Sequence, residues 1–316
     1  MLSDLEEGSL RVAVIGAGGV GGYYGGALAR CGHEVSLLAR GEHLAALRTR
    51  GLEVREPEGF FTVAVRASER PEDLLPADLA IVAVKSYSVP EVSPAVRLLA
   101  EKGAIVLPLL NGVEAFESLA EGGVPKASML AGLTVVSAAR VAPGVIERKS
   151  DFRSVVLGER EGRGSPRAER IAAAFRETGT ETRVSEEIVV DLWLKFLFLS
   201  TIAAACGLAR APIGAVREAP LGLLLLQRAF REAAAVARGR GVDLPSGVEE
   251  GSLERIQALA GHLKPSLLLD LENGRPTELD VLSGAITRFG RELDVPTPIH
   301  DTVVAALSAA SPRTEP

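Results

Sequence analysis

The segment "RVAVIGAGGVGG", Arg11–Gly22, constrains this chain more than any other stretch: a short apolar run breaks into glycines and resumes in a helix-compatible pattern. Gly16-x-Gly18-x-x-Gly21 directly after a strand and at the head of a helix has a mechanical meaning. Gly16 permits the tight turn, Gly18 lets a pyrophosphate approach the backbone, and Gly21 lets helix and strand pack closely. Ala17, Gly19 and Val20 complete the loop, and the helix N-terminus faces the phosphates. A glycine-rich turn with no ligand could have the same local sequence. The strand–turn–helix context, and a second strand at the right distance, favour a dinucleotide site.

From Arg11 to about Arg183 short apolar runs alternate with helical ones. Strands are expected at "RVAVIG", "EVSLLAR", "LAIVAVKS", "AIVLPLL" and "SVVLGE", and helices at Val20–Cys31, Pro90–Glu101, Gly112–Ala120 and Arg167–Glu177. This alternation predicts an α/β, Rossmann-type domain with a mostly parallel sheet. "GLEVREPEGFFTVAV" reads instead as an inserted hairpin turning at "EPEG". After about Ser185 helical periodicity takes over, at Ile188–Leu208, Leu221–Arg240, Leu253–Leu263 and Glu278 to about Glu292, and no strand is expected. The 316 residues thus divide into a dinucleotide-binding domain, 1–185, and an all-helical substrate and catalytic domain, 186–316. Met1–Leu10 and Ser311–Pro316 are expected to be frayed.

The second strand ends in Arg40, with Glu34 at its start rather than its tip. An NAD site usually carries an acid at that tip, whereas an arginine is placed to pair with a 2′-phosphate, so NADP is expected. A solvated loop arginine is the plain alternative. Two more candidates fall at strand ends, where open α/β sheets bind ligands: Lys85 after "AIVAV" and Asn111 in "LLNG". Singly they read as a surface lysine and a turn with a helix cap. Beside a dinucleotide loop they read as lining its nicotinamide end, and Ala139 is counted with the cofactor-contacting residues.

"DLWLKFLFLSTIAAACGL" sets one basic residue, Lys195, in an apolar helix, where a charge is costly unless paired or used. The uncharged run Phe196–Leu208 is shorter than the ~18–20 residues of a membrane span, so a buried core helix is expected. Asp191 and Lys195 at i, i+4 could form an ordinary helix pair.

Composition excludes more than it identifies. Lys and Arg number 35 against 41 Asp and Glu, and the net charge of −6 disfavours non-specific binding to nucleic acid or an anionic membrane. Cys31 and Cys206 fit no metal or disulfide spacing and are expected to be reduced core or near-core residues, and no metal site is expected. "MLSDLEEGSL" lacks the basic and apolar regions of an export signal, so the expected location is cytoplasmic. "LGLLLL", Leu221–Leu226, reads as core in preference to the face of a homodimer.

Over about residues 11–308 the chain resembles the ketopantoate reductases (2-dehydropantoate 2-reductases). The resemblance rests on "GAGGVGG", "AVKSY" and "LLNGVE", and most specifically on "DLWLKFLF" and "PSLLLDLENGRPTELD". It implies reduction of a 2-oxo acid by NADPH, with 2-dehydropantoate, an intermediate of pantothenate and coenzyme A biosynthesis, as the leading substrate. It further implies that Lys195 protonates the developing alkoxide and that Glu278 lies near the nicotinamide ribose and substrate. Asn111 would be shared between nicotinamide and substrate, and Ser266 would bond the substrate carboxylate. Partial burial should lower the Lys195 pKa toward the range of a working acid, while Glu278 and a substrate carboxylate oppose that shift. The plain alternatives are a capping box begun by Thr277 for Glu278, and a helix N-cap for Ser266.

The chain also departs from the family pattern. Asparagines one and two turns after the catalytic lysine are replaced by Leu199 and Ala203, and two further pocket asparagines correspond to Ile213 and Leu263. A pocket with fewer amides suggests a more apolar 2-oxo acid, with Arg210 recovering a carboxylate contact. A non-catalytic NADP-sensing protein would need neither Lys195 nor Glu278. "PTELD" disfavours a related dehydrogenase of opine or 6-phosphogluconate type.

Overall fold

The computed structural model describes residues 8–310. Residues up to Leu110 with Glu114–Ile188 form one compact unit, and Asn111–Val113 with Val189 onward form a second. The first runs β1 (Arg11–Ile15), α1 (Gly19–Arg30), β2 (Glu34–Leu38), α2 (Gly41–Arg50), β3 (Leu52–Glu56), β4 (Gly59–Val63), β5 (Arg66–Ser68), β6 (Leu79–Val82), α3 (Val89–Glu101), β7 (Ile105–Pro108), α4 (Ala115–Glu121), β8 (Ala131–Val135), β9 (Ala138–Ala142), β10 (Val145–Arg148), β11 (Ser154–Gly158), α5 (Pro166–Glu177) and β12 (Glu181–Val184).

Strands in the order β5-β2-β1-β6-β7 form an all-parallel sheet. β6 is buried along its whole length and β1 beyond its first residue, as central strands covered on both faces must be. The expected hairpin is β3–β4, turning at Pro57-Glu58. It belongs, however, to a mixed sheet, β4-β3-β10-β9, whose other two strands come from far along the chain. "SVVLGE" does not join the parallel sheet. As β11 it pairs antiparallel with β8 and parallel with β12 in a third sheet. Apolar periodicity identifies such a strand but carries no information about its partner.

α1 lies between two of these sheets. A Cβ on Gly25 would come within 3.1 Å of Leu37 in the parallel sheet, and one on Gly26 within 2.6 Å of Val54 in the mixed one. Small residues let a helix fit that gap. Cys31, just past α1, is exposed rather than near-core, because the chain there turns through Gly32 into solvent; Cys206 is buried. The expected fraying falls outside the described residues except at 8–10, and there Leu10 is buried, its amide donating to His33 Nδ1 at 3.0 Å.

The second unit contains α6 (Ile188–Ala209), α7 (Ile213–Glu218), α8 (Gly222–Gly239), α9 (Val248–Ala258), α10 (Ser266–Glu272), a π-helical turn at Asp280–Gly284, α11 (Ala285–Glu292) and α12 (Pro298–Ala310). Among the described residues it has no strand. α6 is long and apolar enough to cross a membrane by length and composition, yet over half of it is buried by protein. Its Trp193, Phe196, Leu197 and Ala203 pack with Phe230, Leu282 and Phe289 as a core. The "LGLLLL" run divides: Leu226 is buried, whereas Leu221 and Leu223 are exposed, since successive residues at a helix start face different sides.

Candidate active site

The glycine loop joins β1 to α1. Gly16 has φ +102°, and a Cβ there would lie 2.6 Å from the Ala83 carbonyl oxygen, so the turn excludes any other residue. Gly19 is forced by close approach: its Cβ would sit 2.1 Å from Ala138 O and 2.9 Å from Ala139 N. Ala138-Ala139 of β9 therefore press directly on the loop. Gly18 differs from both. Its φ is −82°, and a Cβ there would meet no atom within 4 Å, so the protein's own packing does not require a glycine. Open space over a glycine at the N-terminus of a 12-residue helix fits the approach of a pyrophosphate.

Arg40 follows β2 at the N-cap of α2 and is exposed; its Nη1 donates to Glu91 Oε1 at 2.6 Å. It borders an open pocket of about 430 Å³ together with Glu42, His43 and residues Arg140–Pro143 of β9 and its turn. His43 and Arg140 were not singled out by the sequence, which carries no local signal for them. Lys85 is half-buried at the start of a short 3₁₀ turn, Ser86–Ser88, beyond the C-terminal end of β6. β6 and β1 are parallel neighbours, so Lys85 and the glycine loop lie on the same edge of the sheet.

In the second unit three side chains form a line. Lys195 Nζ donates to Asn111 Oδ1 at 3.2 Å, and Asn111 Nδ2 donates to Glu278 Oε2 at 3.2 Å. The amide orientation follows from chemistry: an ammonium only donates and a carboxylate only accepts, so oxygen faces Lys195 and nitrogen faces Glu278. Glu278 is buried, and Lys195 and Asn111 are half-buried. Burial lowers the Lys195 pKa from its ordinary value to about 8, against the pull of the Glu278 charge. An amine with that pKa is mostly protonated at neutral pH and gives up its proton readily.

Asn111 reaches this position on the segment after β7, where Gly112 takes φ +89°. Glu278 stands outside any helix, and the π-helical turn begins two residues later. Thr277 is therefore not the N-cap of a capping box, and burial with the Asn111 contact replaces that reading. The turn is anchored through Ser283, whose hydroxyl bonds His300 Nδ1 at 3.1 Å while His300 Nε2 bonds Ala229 O at 3.0 Å. Burial pushes the His300 pKa down to about 4, so this imidazole is a neutral strut.

Other expected residues lie differently. Ser266 is the exposed first residue of α10 and makes no capping bond; the N-cap is Pro265. Arg210 is exposed just past the end of α6, fifteen residues beyond Lys195. At ~1.5 Å per residue that is roughly 22 Å of helix axis, so Arg210 and Lys195 are not brought to one small acid. Leu199 is half-buried one turn from Lys195 on the same face, whereas Ala203 is buried in the core. Ile213 and Leu263 pack in a satellite core with Ile202, Cys206 and Ile256, and the Ile213 amide donates to the Leu263 carbonyl. Apolar side chains at those two positions serve that core. No group of residues that could hold a metal occurs among the described residues.

Residues 12–162 match the family model "Ketopantoate reductase PanE/ApbA", and residues 187–311 match its C-terminal counterpart. A 2-dehydropantoate 2-reductase of Halobacterium salinarum is 35% identical over 298 residues, covering 93% of this chain and 96% of that protein. The uncharacterized oxidoreductase YkpB of Bacillus subtilis is 31% identical over 301 residues, covering 94% and 98%. A PanE/ApbA family ketopantoate reductase crystal structure from Ralstonia eutropha superposes with a TM-score of 0.85 at 30% identity, covering 95% of this chain and 97% of that one. The chain belongs to the ketopantoate reductase family, a family of oxidoreductases.

Proposed function

We propose that this oxidoreductase reduces the ketone of a small 2-oxo acid, 2-dehydropantoate first among them, with NADPH as reductant and Lys195 as proton donor. The observation that carries the reading is the Lys195–Asn111–Glu278 line, in which a cation of lowered pKa is kept half-buried by an amide and a carboxylate. Bound NADPH would supply the hydride to the carbonyl carbon. The residues to hold it are Gly16–Gly21, Arg40, Lys85 and Ala139, and the open space over Gly18 fits that role.

Lys195 Nζ hydrogen-bonds the carbonyl oxygen and gives it a proton as negative charge develops there. The neutral amine left behind suits its buried setting, because burial is what lowers the pKa. Asn111 Oδ1 orients the ammonium, and Glu278 fixes the amide and offsets the positive charge until the proton leaves. Ser266 is the proposed partner of the substrate carboxylate. A cytoplasmic role in pantothenate and coenzyme A biosynthesis follows from that substrate and stands or falls with it.

Leu199, half-buried one turn from Lys195 where the family pattern has an asparagine, favours a second reading with a more apolar 2-oxo acid. An apolar pocket discriminates by only ~1–3 kcal/mol per methylene, so a panel can separate the two. NADPH consumption is measured with 2-dehydropantoate and branched apolar 2-oxo acids across pH. The expected result is turnover of 2-dehydropantoate, with kcat/KM falling as pH rises through about 8, because the acid must be protonated to act. Preference for branched acids selects the second reading. NADPH binding with no turnover of any 2-oxo acid would overturn both and leave an NADP sensor.

A further inference from the structure

The pocket beside Arg40 has a second cation in its wall. Arg40 and Glu42 come from the corner between β2 and α2, and Arg140 comes from β9, about a hundred residues later in the chain. Both arginines are exposed, so neither is committed to the core. The Arg40–Glu91 ion pair joins two largely exposed side chains and contributes little, which leaves Arg40 free to exchange partners. Glu42 in the pocket wall and Glu91 on Arg40 both oppose an anion, so the two guanidinium groups hold one only when Arg40 turns from Glu91 to it.

The pocket is also tied to the glycine loop. Gly144, in the turn between β9 and β10, donates its amide to His43 Nδ1 at 2.9 Å. That nitrogen must then be the acceptor, so the proton sits on Nε2 and is donated to Ala17 O at 2.9 Å. Ala17 belongs to the loop itself. One buried, neutral imidazole therefore pins the β9–β10 turn to the loop, with burial and the neighbouring Arg140 charge both lowering its pKa.

We propose that Arg140 is a second cofactor-specificity residue, closing with Arg40 on a phosphate monoester at the adenosine end of the dinucleotide, and that His43 positions the strand that carries it. The inference rests on the NADP reading above and deepens it. A ribose hydroxyl offers two guanidinium groups little to bind. A phosphate monoester offers nearly two negative charges and three acceptor oxygens, which match the planar N–H forks of arginine.

The test measures NADPH and NADH dissociation constants by nucleotide fluorescence for wild type, Arg40→Ala, Arg140→Ala and His43→Ala. Arg140→Ala should weaken NADPH about tenfold or more while changing NADH less than about twofold, the loss expected for a charge-assisted contact made only by the phosphate. His43→Ala should lower the NADPH-to-NADH preference in the same direction, an effect that general loosening of the fold would not produce. If Arg40→Ala lowers the preference and Arg140→Ala does not, the Arg140 assignment is overturned while NADP use stands. Equal weakening of both nucleotides in His43→Ala overturns its positioning role. Wild type that binds NADH as tightly as NADPH overturns the NADP reading itself, and this proposal with it.

Discussion

The glycine loop and the lysine site reach their geometry by opposite means. The loop is one contiguous stretch whose shape depends on missing side chains, Gly16 through its backbone angle and Gly19 through the carbonyl pressed against it. The lysine site is made of side chains from distant segments, with Asn111 lying 84 residues from Lys195 and 167 from Glu278. The first is a matter of steric exclusion, although the atoms that do the excluding, at Ala83 and Ala138, lie far along the chain. The second needs the helical fold to be complete, because only burial converts an ordinary lysine into an acid of lowered pKa. The glycine pattern can therefore be written in one stretch of sequence, whereas a tuned pKa belongs to the assembled unit.

Substitutions can break this contrast. The largest effect is expected from Lys195→Ala, which should lower kcat about 10²–10⁴-fold, the usual worth of a positioned general acid. NADPH affinity, measured separately, should stay within about twofold of wild type. Loss of both together would mean that the two sites are not independent.

The next effect compares two neighbouring glycines. Gly19→Ala drives a methyl against the Ala138 carbonyl and should cost ~1–3 kcal/mol of stability in denaturant unfolding, along with cofactor affinity. Gly18→Ala meets no protein atom, so stability should change by less than about 1 kcal/mol. NADPH affinity should nonetheless fall about tenfold, equivalent to ~1.4 kcal/mol. Unchanged affinity in Gly18→Ala would remove the cofactor from that space.

The smallest effect sharpens the other half. Asn111→Asp places a carboxylate where the amide oxygen now accepts from Lys195, favouring the ammonium. The alkaline limb of the kcat/KM profile, at about 8 in wild type, should move up by about one unit. An unmoved limb would assign that ionisation to some other group.

Legibility in the sequence followed the same division. The apolar strand before Gly16 and the glycine spacing identified β1, the loop and α1 to within a residue or so, because the relevant forces act between near neighbours. The helical texture of the second unit was plain but its boundaries were not: the helix expected at Leu253–Leu263 is α9, Val248–Ala258, the one expected from Glu278 begins two residues later, and α7, α10 and α12 lacked a strong enough pattern to be anticipated. The partners of β3 and β11 were not legible, since strand pairing joins segments that nothing in the local sequence connects. At the lysine site the residues came from family resemblance together with one odd ammonium in an apolar helix. That Asn111 stands between Lys195 and Glu278 is a product of tertiary packing, and so is the exposure of Arg210, whereas its distance from Lys195 follows from helix geometry alone.

The position of α1 between two sheets bears on the order in which the chain assembles. The helix sequence "GVGGYYGGALAR" is rich in the residue least suited to an isolated helix, at about 1 kcal/mol per glycine relative to alanine, and its N-cap forms no side-chain bond. It is held in shape by surfaces on either side, and one of those surfaces is completed only by β9 and β10, more than a hundred residues downstream. A growing chain that has made β1, α1 and β2 thus possesses the whole glycine signature but not the rigid helix that signature implies. On the proposed reading, competence to bind nucleotide arrives late, when Ala138–Arg148 has docked. The first βαβ segment, so recognisable on paper, is not a module that could be cut out and used alone.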